Sequence, residues 1–240
     1  MLNVVYLSCT AQSLRQVRLH IDSALPTALP DRVPATEAHP SAIPEQCKLE
    51  SVIATEDLER RGSREPDYQA ESLALLALTR ELSRWPDEFF PKLVKHALAL
   101  TRAESTGISL LNAEERRFVW PAVAGKLESY LGAGTPSDFG PCGTVLDRRK
   151  SLLFIHPERH FTYLTPIQPA LEEVLLVPFY MEAQPVGTIW AVIHEKGVHF
   201  EAEDQRVLES LSTFASSAYR SLAISGALQP LLEMKFVTEE

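Results

Sequence analysis

The stretch LLVPFYMEAQPVGTIWAVIHE, residues 175–195, decides the fold. Two runs rich in β-branched and aromatic residues flank a short polar break at Glu182 to Gln184, the pattern of a β-hairpin. In the second run the period of two puts Thr188, Trp190 and Val192 on one face. Ile189, Ala191 and Ile193 fall on the other. A large aromatic on the first face makes it the candidate side for a ligand.

Working outward, a second hairpin precedes the first. STGISLLN (105–112) and RRFVWPAVAG (116–125) read as strands joined by a short charged link. Helical periodicity flanks both hairpins. Residues 68–82 form a helix with Asp67 placed to cap it, and FFPKLVKHALALTR (89–102) forms another. A short helix is expected at KLESYLG (126–132), two helical turns at CGTVLDRRK (142–150) and a strand at SLLFIHP (151–157). The last helix runs from Ala202 to Leu228, with Val207, Leu211, Phe214, Ala218 and Leu222 repeating at three and four residues. Hairpins at both ends of this order predict an α+β fold. Its centre is an antiparallel sheet of about five to six strands with helices on both faces and the terminal helices packed together.

The segments before this block have a different character. Residues 2–7 read as a short strand and 10–25 as a helix, so 1–24 is a β-α extension too small to hold its own core. Prolines at 26, 30, 34, 40 and 44 interrupt both helix and sheet, and the charged run TEDLERRGSREPD follows. Residues 25–66 are therefore read as a Pro-rich and charged linker, 67–228 as the domain and 229–240 as a tail.

Net charge is −9, from 32 acids and 23 bases. That balance argues against a general nucleic-acid binder, which shows a basic field. The apolar start MLNVVYL is short and no basic residue precedes it, against a secretory signal. No run reaches the roughly 18 apolar residues a membrane helix needs. Cys9, Cys47 and Cys142 are far apart and form no CxxC pair, which fits a reducing cytoplasm and supports no structural metal.

The densest chemistry lies in GPCGTVLDRRKSLLFIHPERHFTYL, residues 140–164. His156 and His160 have the i, i+4 spacing of helical metal ligands, but Pro157 between them breaks the helix. Asp147-Arg148-Arg149-Lys150 reads as a solvated helix end whose cations suit the dipole. Cys142 is a small buried hydrophobe or, at the start of a short helix, a redox-active thiol. No G-x-S-x-G, phosphate loop or H-E-x-x-H is present, so no catalytic residue is assigned.

These features together resemble the GAF domain, the sensory module of phytochromes, cyclic nucleotide phosphodiesterases and bacterial sensor kinases. The resemblance covers roughly 67–228. It rests on Val177-Pro178 before the turn, Val186-Gly187 after it, and Phe200 with Asp204 at the head of the last helix. The Pro-Cys-Gly-Thr-Val-Leu-Asp run at 141–147 is similar to one in GAF domains at the front of bacterial histidine kinases. Lys196, Phe200 and Asp204 match the cyclic-nucleotide members, with Lys196 and Asp204 placed to pair. Glu195 and Gln205 depart from that pattern and argue against cyclic-nucleotide binding. Bilin-attaching members follow their Cys with His, where this chain has Gly143. Members that reduce free methionine sulfoxide need several cysteines in the domain, where this chain has Cys142.

The resemblance implies that 139–164 covers the sheet and encloses a pocket. Its walls are then Trp120, Phe139, Cys142, Phe154, His156, Phe161, Tyr163, Phe179, Thr188 and Trp190. It implies a cytoplasmic sensor for an unidentified small molecule, signalling through its terminal helices to a histidine kinase or other partner. The implied partners include no nucleic acid and no membrane, and no cofactor is named. The helical stripe Val207, Leu211, Phe214, Ala218 and Leu222, with Leu73, Leu76 and Leu82 on the first helix, is wide enough to suggest a homodimer. Two other readings stay open: a ligand-free dimerisation or docking module whose aromatics only fill a core, and a redox sensor through Cys142.

Overall fold

In the computed structural model, the protein is described over residues 47–84 and 88–236. The β-α extension at 1–24 and the Pro-rich part of the linker lie outside the described residues. Among the described residues six helices, α1 to α6, span Thr55–Arg60, Tyr68–Arg84, Phe89–Leu100, Pro141–Arg148, Ala202–Ser225 and Leu228–Leu232. Six strands, β1 to β6, span Ser105–Asn112, Arg117–Gly125, Gly134–Pro136, Leu152–Ile155, Glu173–Met181 and Gln184–Ile193.

The strands form one sheet in the order β3-β2-β1-β6-β5-β4, and every neighbouring pair is antiparallel. The β5–β6 hairpin turns at Glu182-Ala183, where Glu182 takes a positive φ of 58°. The β1–β2 hairpin turns through 113–116, with Asn112 Oδ1 accepting the Glu115 N–H at 3.0 Å. The two hairpins meet along β1 and β6, where Gly107 stands opposite Trp190.

Alternation along the strands separates two cores. Ile108, Leu175, Val177, Phe179, Ile189, Ala191 and Ile193 face α3 and α5. Trp120, Phe154, Val174, Leu176, Trp190 and Val192 face the other way, toward α4 and the short 3-10 turns Pro157–Arg159 and Thr162–Leu164. The α+β class, the six-stranded antiparallel sheet and helices on both faces are as the sequence predicts.

α5 begins in a capping box. Glu201 donates its N–H to Asp204 Oδ2 at 2.8 Å, and its side chain receives the return bond. Gly226, at φ 80°, ends the helix. α2 and α5 are joined by Arg206, whose guanidinium reaches Glu71 at 2.6 Å and Glu203 at 2.7 Å.

Residues 47–66 are not a linker. Ala54 donates its N–H to the Leu153 carbonyl and Ile155 donates to the Val52 carbonyl, both at 2.8 Å, so this strap pairs with the outer edge of β4. Val52 enters the core beneath α4 and Leu58 the core beneath α5. The charge that suggested a linker is paired instead. Arg61 grips Glu173 through two nitrogens at 2.8 and 2.9 Å, and Arg64 reaches Asp204 at 2.7 Å. Asp204 therefore pairs with Arg64, not with Lys196. It also accepts the Arg102 N–H at 3.0 Å.

A candidate ligand cavity between the sheet and α4

α4 is set on the sheet by its own sequence. Pro141 occupies the first turn, where its missing N–H costs nothing. Thr144 donates its hydroxyl to the Gly140 carbonyl at 2.9 Å. Gly140 and Gly143 permit close packing: a Cβ on the first would meet the Tyr163 hydroxyl at 2.6 Å, and on the second the Ser137 carbonyl at 2.3 Å. The helix ends at Arg149, which takes the left-handed conformation.

Beneath α4 lies a cavity walled by Trp120, Leu127, Thr135, Pro141, Cys142, Pro157, Leu164, Ile167, Leu171, Val174, Leu176, Trp190 and Val192. About 40 Å³ of it is open to the centre of a water-sized body, room for roughly three waters. None of the walls is charged. The Trp120 and Trp190 rings stand 5.2 Å apart at 56°. Trp190 owes its position to Gly107, where a Cβ would come within 2.1 Å of the indole.

Polar groups sit close behind these walls. The Cys142 thiol donates to Ser109 Oγ at 3.4 Å, and Thr188 Oγ1 donates to Cys142 Sγ at 3.5 Å. Burial pushes the Cys142 thiol above its ordinary value, and its hydroxyl neighbours offset only part of that. Burial likewise raises the Tyr163 hydroxyl. Trp120 Nε1 and Trp190 Nε1 are buried without a protein acceptor, while the Thr135 hydroxyl lies close to both the Tyr163 hydroxyl and the Cys142 thiol.

The ten residues expected at a pocket divide into groups. Trp120, Cys142 and Trp190 line the cavity. Thr188 stands behind Cys142, and Tyr163 stands over Gly140 near Thr135. Phe139, Phe154 and Phe161 form an aromatic group with His160 off the cavity wall, with Phe154 and Phe161 in the same core: Phe139 and Phe161 are 5.2 Å apart, and Phe161 and His160 are 4.7 Å apart. His156, in the left-handed conformation before Pro157, lies 3.5 Å from Glu158 and 3.6 Å from Glu172. Phe179 is on the opposite face, against Phe90 and Tyr219. Parity explains this: Phe179 shares the odd positions of Leu175 and Val177, which point at α5. Thr135, Leu127, Leu164, Leu171 and Gly107 were missed. The one local signal was Gly107, a glycine in mid-strand, which marks a close approach.

The dimer stripe is also placed differently. Val207, Leu211, Ala218 and Leu222 are buried against the sheet and α3 within one chain, and Phe214 packs at their margin. Exposed apolar residues on the helices include Leu73 and Leu76 on α2 and Ile224 at the end of α5. Among the described residues no group of three His, Cys, Asp or Glu side chains could hold a metal ion. No helix of the described residues is long and apolar enough to cross a membrane.

Comparison with known proteins fits this geometry. The sequence profile of the GAF domain matches residues 83–219, and the chain belongs to that family. Among curated proteins, none matches it. The fold is similar to that of the GAF domain from an Acinetobacter phosphoenolpyruvate-protein phosphotransferase, at TM-score 0.56 and 17% identity. That match covers 67% of this chain and 97% of the other. It is also similar to the phycoerythrobilin-bound GAF domain of a cyanobacterial phytochrome, at TM-score 0.52 and 13% identity over 69% and 100% of the two chains. A third is free methionine-R-sulfoxide reductase from Neisseria meningitidis in complex with its substrate, at TM-score 0.52 and 11% identity over 69% and 97%.

Proposed function

We propose that this chain is a cytoplasmic regulatory GAF module that takes a small molecule between the sheet and α4. One observation carries the reading. The Nε1–H groups of Trp120 and Trp190, both on the cavity walls, have no protein acceptor, and buried polar groups are nearly always hydrogen-bonded. A core built only for packing has no use for them, since each unsatisfied group costs about 1–3 kcal/mol. Two similar structures, one with phycoerythrobilin and one with its substrate, support the view that this fold accommodates small molecules. The cavity is small against the roughly 300–1,000 Å³ of a typical ligand pocket. A ligand larger than a few atoms must lift α4 or the 157–164 turns. That movement is the signal in this reading, passed across the sheet to α2 and α5 and on to a histidine kinase or other signalling partner.

Binding is favoured over redox chemistry because the Cys142 thiol is buried and its ionisation disfavoured. Native mass spectrometry of the protein from its source tests the proposal. A retained small mass, lost on gentle unfolding, is expected. A bare chain mass, together with no thermal shift across a metabolite panel, counts against it.

Self-association is a second element. Leu73 and Leu76 are 62% and 56% exposed on α2, and we assign that face to a second copy of the chain. Four leucines, each little more than half exposed, supply roughly 4–7 kcal/mol in a symmetric pair. Association costs about 4–15 kcal/mol, so the pair is weak and concentration-dependent.

A further inference from the structure

The cavity's chemistry narrows what it takes, on the reading above that it is a ligand site. No charged side chain lines it. An ionised ligand there would be buried without a counter-charge, which is heavily penalised. The walls are mostly carbon, so the body of the ligand is apolar.

The unpaired groups set the polar part. An indole Nε1–H is a donor and never an acceptor. Trp120 and Trp190 both wall the cavity, both are buried, and neither Nε1–H meets a protein acceptor. The nearby thiol does not supply one, because Cys142 Sγ is engaged by Ser109 and Thr188. The Thr135 and Tyr163 hydroxyls can donate or accept and so add no preference of their own.

We propose that the cavity binds a compact, uncharged molecule whose hydrogen-bond acceptor, such as a carbonyl, ether or ring nitrogen, pairs with the Nε1–H of Trp120 or Trp190. Neither N–H is exposed on the cavity wall. Binding therefore includes a small shift of an indole or of the α4 cover.

The full chain labelled with ¹⁵N provides the test. It contains three tryptophans, Trp85, Trp120 and Trp190, so the indole N–H signals are assigned with single Trp→Phe variants. The probes are cyclopentanone, methylenecyclopentane, cyclopentanecarboxylate and cyclopentylammonium. Cyclopentanone is expected to move the Trp120 or Trp190 indole proton downfield and to saturate. It should bind about tenfold tighter than methylenecyclopentane, which has the same shape and no acceptor. The two ions should give no saturable change at the cavity. Equal binding of methylenecyclopentane, or saturable binding of either ion, overturns this inference and leaves the pocket standing. No response at cavity residues to any of the four overturns the pocket reading and the inference together.

Discussion

Trp190 lies across Gly107, its partner on the neighbouring strand, so closely that a single added carbon would sit 2.1 Å from the ring. The glycine lets an indole lie against the strand backbone and form a cavity wall. Gly107→Ala should push the ring out of place and lower stability by about 1–3 kcal/mol, the usual cost of overpacking. Denaturant unfolding measures the loss. Adding Trp190→Leu to Gly107→Ala should recover part of it. Equal stability of Gly107→Ala and the wild type would show that the ring has room to move.

Cys142 should behave as an inert thiol. In native protein at neutral pH, peptide-resolved alkylation should leave Cys142 unmodified and label it only after unfolding. Cys142→Ser should cost about 1 kcal/mol, because a hydroxyl is buried where a thiol fitted. Its oligomeric state should not change. Native labelling as fast as that of a free thiol would restore the redox reading.

Arg61 and Glu173 should contribute to the acid sensitivity of the fold. Burial alone would raise the Glu173 carboxyl, but Arg61, the Phe200 N–H and His199 together hold it below its usual value of 4.5. A carboxyl depressed in the folded state gives stability that is present above the unfolded pKa. That stability is lost as pH falls through the folded value. Wild-type stability should therefore decline only below about pH 4.5 from this source. Arg61→Met leaves a carboxylate that is 2% exposed without its main partner. It should cost about 3–5 kcal/mol at neutral pH and shrink or abolish the decline below about pH 4.5, because the depressed carboxyl that supplied that stability is gone. An unchanged acid limb in Arg61→Met would assign the sensitivity elsewhere.

Self-association should run through the Leu73 and Leu76 face of α2. Sedimentation at rising concentration should move the mass from 26.8 kDa toward twice that value. The double variant Leu73→Glu, Leu76→Glu should remain at the single-chain mass with its fold intact. Dimerisation unaffected by that variant would place the contact on another face.

Much of the fold was legible because its signals are local. The hairpin at 175–195 carries alternation, a turn and β-branched residues within 21 positions, and α5 carries its own caps. The strap at 47–66 was not, because its logic is non-local. Arg61 and Arg64 look like solvent charge until Glu173 and Asp204 are brought beside them from more than 100 positions away. The cavity was half legible for the same reason. Trp190 could be placed by parity from its own strand. Phe179 was misplaced because its aromatic character was weighed above its parity. Thr135 and Leu171 gave no signal, since what makes them walls is the path of the chain between them.

The strap also fixes how much of the chain must be present for the domain to fold. The family segment, 83–219, stops short of it on one side. On the other it stops before Leu232 and Met234, whose carbonyls accept from Asn112 and Arg117, and before Phe236, which stacks on Tyr130. A fragment cut to those limits would strip the edge from β4 and strand the Glu173 and Asp204 carboxylates without their arginines. The contacts that complete the sheet edge and its ion pairs therefore extend past the family outline at both ends.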